Sequence, residues 1–137
     1  MASACSNNKA WASSNRPHPD KWFRPFGGGG RIGPWLLSVA ARDYLLAQGF
    51  SLVLWNSIPR DWERHETWPD YALADCRAND RTLVVLHDHI APSVRQLDRF
   101  IGTLLDEGFD VRQDFPDACV PVRRGEVRVP LEGFVTG

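Results

Sequence analysis

Short apolar runs alternate along this sequence with segments whose apolar residues recur every three or four positions, and that alternation admits few folds. The runs are residues 22–26, 50–55, 82–86 and 109–112. Each is too short to be a helix and is bounded by Gly, Asn, Asp or charged residues, as expected of strands covered on both faces. After Pro34, residues Leu37, Ala40, Ala41, Tyr44 and Leu45 keep helical spacing until Gly49. Proline suits a first helical turn and glycine suits the position just past a helix. Thr67 is placed to cap a second helix of about ten residues that includes Tyr71, Leu73 and Ala74. A third helix is expected from Pro92 to Gly108, with Val94, Leu97, Phe100, Ile101, Leu104 and Leu105 on one stripe. Strand and helix in such alternation build βαβ units, so the expected class is α/β with parallel strands. Residues 114–137 contain Pro116, Pro121 and Pro130 and read as irregular or edge structure.

The 137 residues suffice for one ordinary domain. Residues 1–21, rich in Ser, Asn and Ala with no period, are expected to be a tail, which leaves residues 22–137 as the domain. Sixteen basic against seventeen acidic residues give a net charge of −1. That balance makes no electrostatic case for nucleic acid or an anionic membrane as the main partner. No run approaches the roughly 18 apolar residues of a bilayer span, and residues 1–20 lack the apolar core of a secretory signal. Cytoplasmic residence is the expectation. Cys5, Cys76 and Cys119 form no Cys-x-x-Cys pair, and an odd number cannot all be bridged, so free thiols are expected.

In parallel α/β folds the reactive groups gather at the carboxyl ends of the strands. Here those ends carry Arg24 with a glycine loop, then Asn56, Asp61 and Trp62, then His87, Asp88 and His89. Each has a plain structural alternative: Arg24 and Asp61 as an ion pair between loops, Trp62 as core, a His as a hydrogen-bonded strand end. Gly27-Gly28-Gly29-Gly30 matches neither dinucleotide nor P-loop patterns. On a strand, His87 and His89 would face one side. Two ligands are too few for a catalytic Zn²⁺, and His18 and His65 lie in segments where convergence with them cannot be argued.

Three motifs in order, Phe23-Arg24-Pro25-Phe26-Gly27, Trp55-Asn56-Ser57-Ile58-Pro59-Arg60-Asp61-Trp62 and Val84-Val85-Leu86-His87-Asp88, resemble the third, fourth and fifth motifs of the polysaccharide deacetylases, the carbohydrate esterases with the NodB homology domain. The likeness covers about residues 22–112 and implies the C-terminal half of a deformed (β/α) barrel. It implies a metal-dependent N-deacetylase acting on an acetylated glycan, with His87 as general acid and Arg24 orienting the catalytic base. Asp61 would hold Arg24, and Trp62 would wall the sugar groove. The oxyanion would sit at a backbone N–H near Phe26 or Gly27, and the acetate methyl near Leu86. Two features depart from the family pattern: Phe26 follows Arg24-Pro25 directly, and Ile58 stands where an Asp is usual. The family's Asp-rich first motif and His-x-x-x-His, which hold a divalent metal such as Zn²⁺, do not occur. The chain is therefore expected to be a truncated form that binds no metal tightly, is inactive alone, and self-associates through an open sheet edge. The alternative is a non-catalytic remnant that binds carbohydrate or a partner through Trp35, Trp55, Trp62 and Trp68.

Overall fold

The computed structural model describes residues 19–137. Most of the expected tail, with Cys5 and His18, lies outside the described residues. In chain order the elements are β1 (Lys21–Phe23), β2 (Leu37–Ser38), α1 (Val39–Ala47), β3 (Phe50–Leu52), α2 (Trp68–Ala78), α3 (Ala91–Val94) and α4 (Leu97–Asp106). A single 3₁₀ turn at Asp117–Cys119 then leads to β4 (Val122–Arg123), β5 (Glu126–Val127) and β6 (Val135–Thr136). The described residues fall into two compact units: Trp55–Pro116, and residues 19–54 with Asp117–Gly137.

The second unit holds all the strands, and its class is mixed rather than purely parallel. β1 pairs with β3 in parallel, while β4 joins β3 and β5 joins β4 antiparallel, giving the order β1-β3-β4-β5. β2 and β6 form a separate parallel pair, Leu37 beside Val135 and Ser38 beside Thr136. Pairing of Leu37 and Ser38 displaces the helix expected from Pro34. Its true start is Val39, where the Ser38 hydroxyl accepts the Ala41 N–H at 3.1 Å. A side-chain oxygen there satisfies one of the donors that a first turn leaves open. The expected tail also ends early: Lys21 already belongs to β1, and Asp20 is buried, receiving Arg123 at 3.2 Å and Arg124 at 2.6 Å.

Residues 114–137 are more regular than their prolines suggest, because β4 and β5 form a hairpin closed by Arg124 (φ 51°) and Gly125 (φ 81°). Two successive positive φ values are the mark of the tight turn whose twist suits paired strands. A Cβ at Gly125 would stand 2.6 Å from the Leu46 carbonyl oxygen, which is backbone and cannot swing aside. Gly125→Ala should destabilise the chain by about 2 to 4 kcal/mol, the sum of left-handed strain and overpacking. Urea denaturation checks this; a loss below about 0.5 kcal/mol, the range of neutral surface changes, would show that the hairpin packs otherwise.

In the unit Trp55–Pro116, α2 and α4 bury Trp68, Ala72, Leu73, Cys76, Phe100 and Leu104 against one another. Val84, Leu86, Leu97, Ile101 and Phe109 pack on this cluster. Three sequence expectations change here, each for a local reason. Residues 82–86 do not form a full strand; a single parallel bridge joins Ser57 to Val84, and the Asn56 side chain takes the Leu83 N–H at 2.7 Å. Phe109 does not start a strand, because its N–H donates to the Leu104 carbonyl at 2.9 Å while Gly108 (φ 83°) donates to Leu105 at 3.0 Å. That pair of bonds closes α4 as a Schellman end and turns Phe109 back onto the core. The long helix from Pro92 is broken into α3 and α4 around Arg95 and Gln96. The Trp68 indole N–H donates to the Ser93 carbonyl at 3.0 Å, and Gln96 rather than Leu97 supplies that carbonyl's helical partner. A side chain entering the ladder is a recognised cause of a helix break.

Candidate functional site

The site starts at a turn. Pro59 is buried and Arg60 takes a left-handed φ of 58°, which non-glycine residues seldom adopt. The Arg60 carbonyl accepts the N–H groups of Glu63 and Arg64 at 3.0 and 2.9 Å, so the backbone folds over. Asp61 is turned fully inward, with 0% of its surface exposed.

Both carboxylate oxygens of Asp61 meet His87. Oδ2 accepts the His87 backbone N–H at 2.7 Å, and Oδ1 lies 2.9 Å from His87 Nδ1. With the carboxylate receiving at both oxygens, Nδ1 is the donor, and the imidazole keeps Nε2 as its free nitrogen. The ring is part exposed, at 38% of the side chain. Such a carboxylate–imidazole pair fixes the tautomer and orientation of a proton-transfer group. Trp62 meets His87 edge-on with ring centroids 5.2 Å apart, and His89 stands perpendicular on it at 5.7 Å. The Arg60 guanidinium lies 5.8 Å from the Trp62 ring and pairs with Glu63 at 2.6 Å.

Ser93, which the sequence reading passed over, donates its hydroxyl to Asp61 Oδ2 at 3.5 Å and is buried. In a Ser-His-Asp triad the hydroxyl binds the imidazole, not the carboxylate. Ser93 therefore steadies Asp61 and is no nucleophile. Nothing in its spacing could have revealed this, because it arrives through the α3 turn.

The structure thus brings together His87, Asp61 and Trp62. The resemblance gave Asp61 to Arg24; instead, His87 holds both of its oxygens. Leu86 packs on the helical core. Arg24, Phe26 and Gly27 belong to the other unit, where Arg24 and Phe26 are exposed and the Gly27 carbonyl accepts the Gly30 N–H at 3.2 Å. Of the four tryptophans considered as stacking surfaces, Trp55 and Trp68 are core residues, 6% and 1% exposed, and cannot serve. Trp35 is exposed and Trp62 half-buried.

Several charges away from the site are paired. Arg112 and Arg81 hold the Asp114 carboxyl down at about 2, and Arg77 lowers Glu107. Cys76 and Cys119 are buried, and burial pushes the Cys76 thiol up, which disfavours its reactive thiolate. Among the described residues no three His, Cys, Asp or Glu side chains converge on a common point, so these residues do not fit the divalent ion implied by the resemblance. Also among them, no helix is long and apolar enough to cross a membrane. Comparison with protein-family models, curated proteins and solved structures finds no match to the chain.

Proposed function

We propose that His87 is the proton-transfer residue of an acetamide-cleaving site that acts on N-acetylated sugars, and that Asp61 positions it. The observation that carries this reading is the buried Asp61 carboxylate bound to both the backbone N–H and Nδ1 of a part-exposed histidine. Protonated His87 would donate from Nε2 to the sugar nitrogen as its bond to the acetyl carbon breaks, so that the amine departs neutral. Trp62 beside it offers an aromatic edge against which a sugar ring can lie. The three ordered motifs supply the substrate class. The Asp-rich and His-x-x-x-His motifs that hold the water-activating metal in the deacetylases do not occur in the sequence, so on this reading the chain alone is inactive.

The test has two arms. Oligomers of N-acetylglucosamine added to the full chain should shift the NMR signals of the His87 ring and the Trp62 indole while leaving the buried Trp68 indole in place. Joining residues 19–137 behind a segment that carries the missing Asp and His-x-x-x-His motifs should yield acetate release, and His87→Gln should lower its kcat by about 10²-fold or more with metal affinity retained. Unmoved His87 and Trp62 signals would remove the sugar from the proposal. An unchanged kcat in His87→Gln would remove the acid.

A further inference from the structure

Residues 21–35 contain Lys21, Arg24 and Arg31 and no acidic residue, in a chain whose net charge is −1. Asp20, the nearest carboxylate upstream, is already engaged by Arg123 and Arg124. The same stretch exposes Phe26 at 92%, Trp35 at 59% and Ile32 at 42%. Gly28, Gly29 and Gly30 all have positive φ, and the Gly30 N–H closes a turn on Gly27. Trp35 is held half-out by its own backbone: its ring lies so close over Gly33 that a Cβ there would fall 2.2 Å from it. Exposed apolar side chains clustered in one loop call for a partner.

Lys21 belongs to β1, where its ammonium donates to the Gln48 carbonyl at 3.1 Å and lies over the Phe50 ring. We infer that this loop docks on an anionic lipid surface, with Phe26, Ile32 and Trp35 entering the headgroup and upper acyl region and Arg24 and Arg31 facing lipid phosphates. Aromatic rings settle at a membrane interface, and basic residues beside them gain from the negative surface potential. Charge decides between bilayer and glycan: an acetylated sugar is neutral and offers the two arginines nothing, and Ile32 has no flat face to stack. The inference is independent of the role given to His87, which lies in the other unit.

Co-sedimentation of the full chain with phosphatidylcholine vesicles, with and without phosphatidylserine, tests it. Binding should require phosphatidylserine and weaken as salt is added. Each charge removed should weaken it about fivefold, so Arg24→Gln with Arg31→Gln should lose about twentyfold or more. Phe26→Ser should lose about tenfold, whereas Arg128→Gln, paired with Glu126 elsewhere in the unit, should lose none. Circular dichroism checks that each variant stays folded, and the double arginine variant stands in if Phe26→Ser does not. Equal binding to neutral vesicles, or no effect of either loop variant, overturns the proposal. So does a soluble oligosaccharide that shields Trp35 from a quencher in a chain that ignores vesicles, or a dimer that Phe26→Ser dissolves.

Discussion

Trp68→Ala is expected to destabilise the chain by about 3 to 5 kcal/mol, the usual range for deleting a fully buried tryptophan. The side chain is 1% exposed, opens α2, and meets Phe100 edge-on with centroids 5.0 Å apart. Ala72, Leu73, Cys76 and Leu104 complete the cluster around it, so the void has no mobile neighbour to fill it. The indole also holds the Ser93 carbonyl at the break between α3 and α4. Against a total stability of roughly 5 to 15 kcal/mol, this single truncation should leave much of the unit Trp55–Pro116 unfolded at moderate temperature. Trp68→Phe keeps most of the bulk and loses the hydrogen bond, for which about 1 to 2 kcal/mol is expected. Urea denaturation of the two variants separates packing from hydrogen bonding; a Trp68→Ala loss no greater than that of Trp68→Phe would contradict the account.

The second large effect is at Asp61, where Asp61→Asn is expected to reverse the His87 tautomer. From His87 alone the wild-type carboxylate receives two donors, the backbone N–H and Nδ1–H. An asparagine has one oxygen for both. If that oxygen keeps the backbone N–H, its amide hydrogens face Nδ1, which must then accept, and the ring proton moves to Nε2. Nitrogen-15 NMR of the histidine ring reads this directly, and an unchanged tautomer would refute the positioning role. In the joined protein that carries the missing motifs, the same substitution should slow acetate release by about 10²- to 10⁴-fold, since a wrongly held imidazole transfers protons poorly even in an intact fold. Asp61→Ala would confuse the issue by opening a buried space; the asparagine keeps the shape.

Helical periodicity carried much of the fold in the sequence. Leu73 in α2 and Phe100 and Leu104 in α4 are core residues, and Gly49 and Gly108 stand just past α1 and α4 with positive φ. What periodicity could not carry was competition for backbone groups by distant side chains. The Trp68 indole takes a carbonyl from a helix 25 residues away, and Asn56 occupies an edge that an apolar run would otherwise pair. Strand direction was also hidden, because an apolar run does not say which neighbour it meets; β4 comes from far downstream to lie antiparallel on β3, and β5 turns back on β4 through a signal, Arg124-Gly125, that is short. At the site, motif order singled out Asp61, Trp62 and His87, which lie together in the structure. The partner of Asp61 was not legible, since it depends on the left-handed turn at Arg60 that aims the carboxylate inward.

The two units differ in when they can be completed during synthesis. Residues 55–116 are continuous, so every contact within that unit exists once Pro116 has been added. The other unit is interrupted: Asp20 waits for Arg123 and Arg124, 103 and 104 residues downstream, and the Pro34 carbonyl waits 102 residues for the Thr136 hydroxyl. At ribosomal speeds of about 5 to 20 residues per second, that interval is roughly 5 to 20 seconds. Throughout it, β1 and β3 lack the β4 edge, and β2 lacks any strand to pair with. A chain whose synthesis stops before Val135 therefore lacks the strand that β2 needs, whatever the helical unit has done.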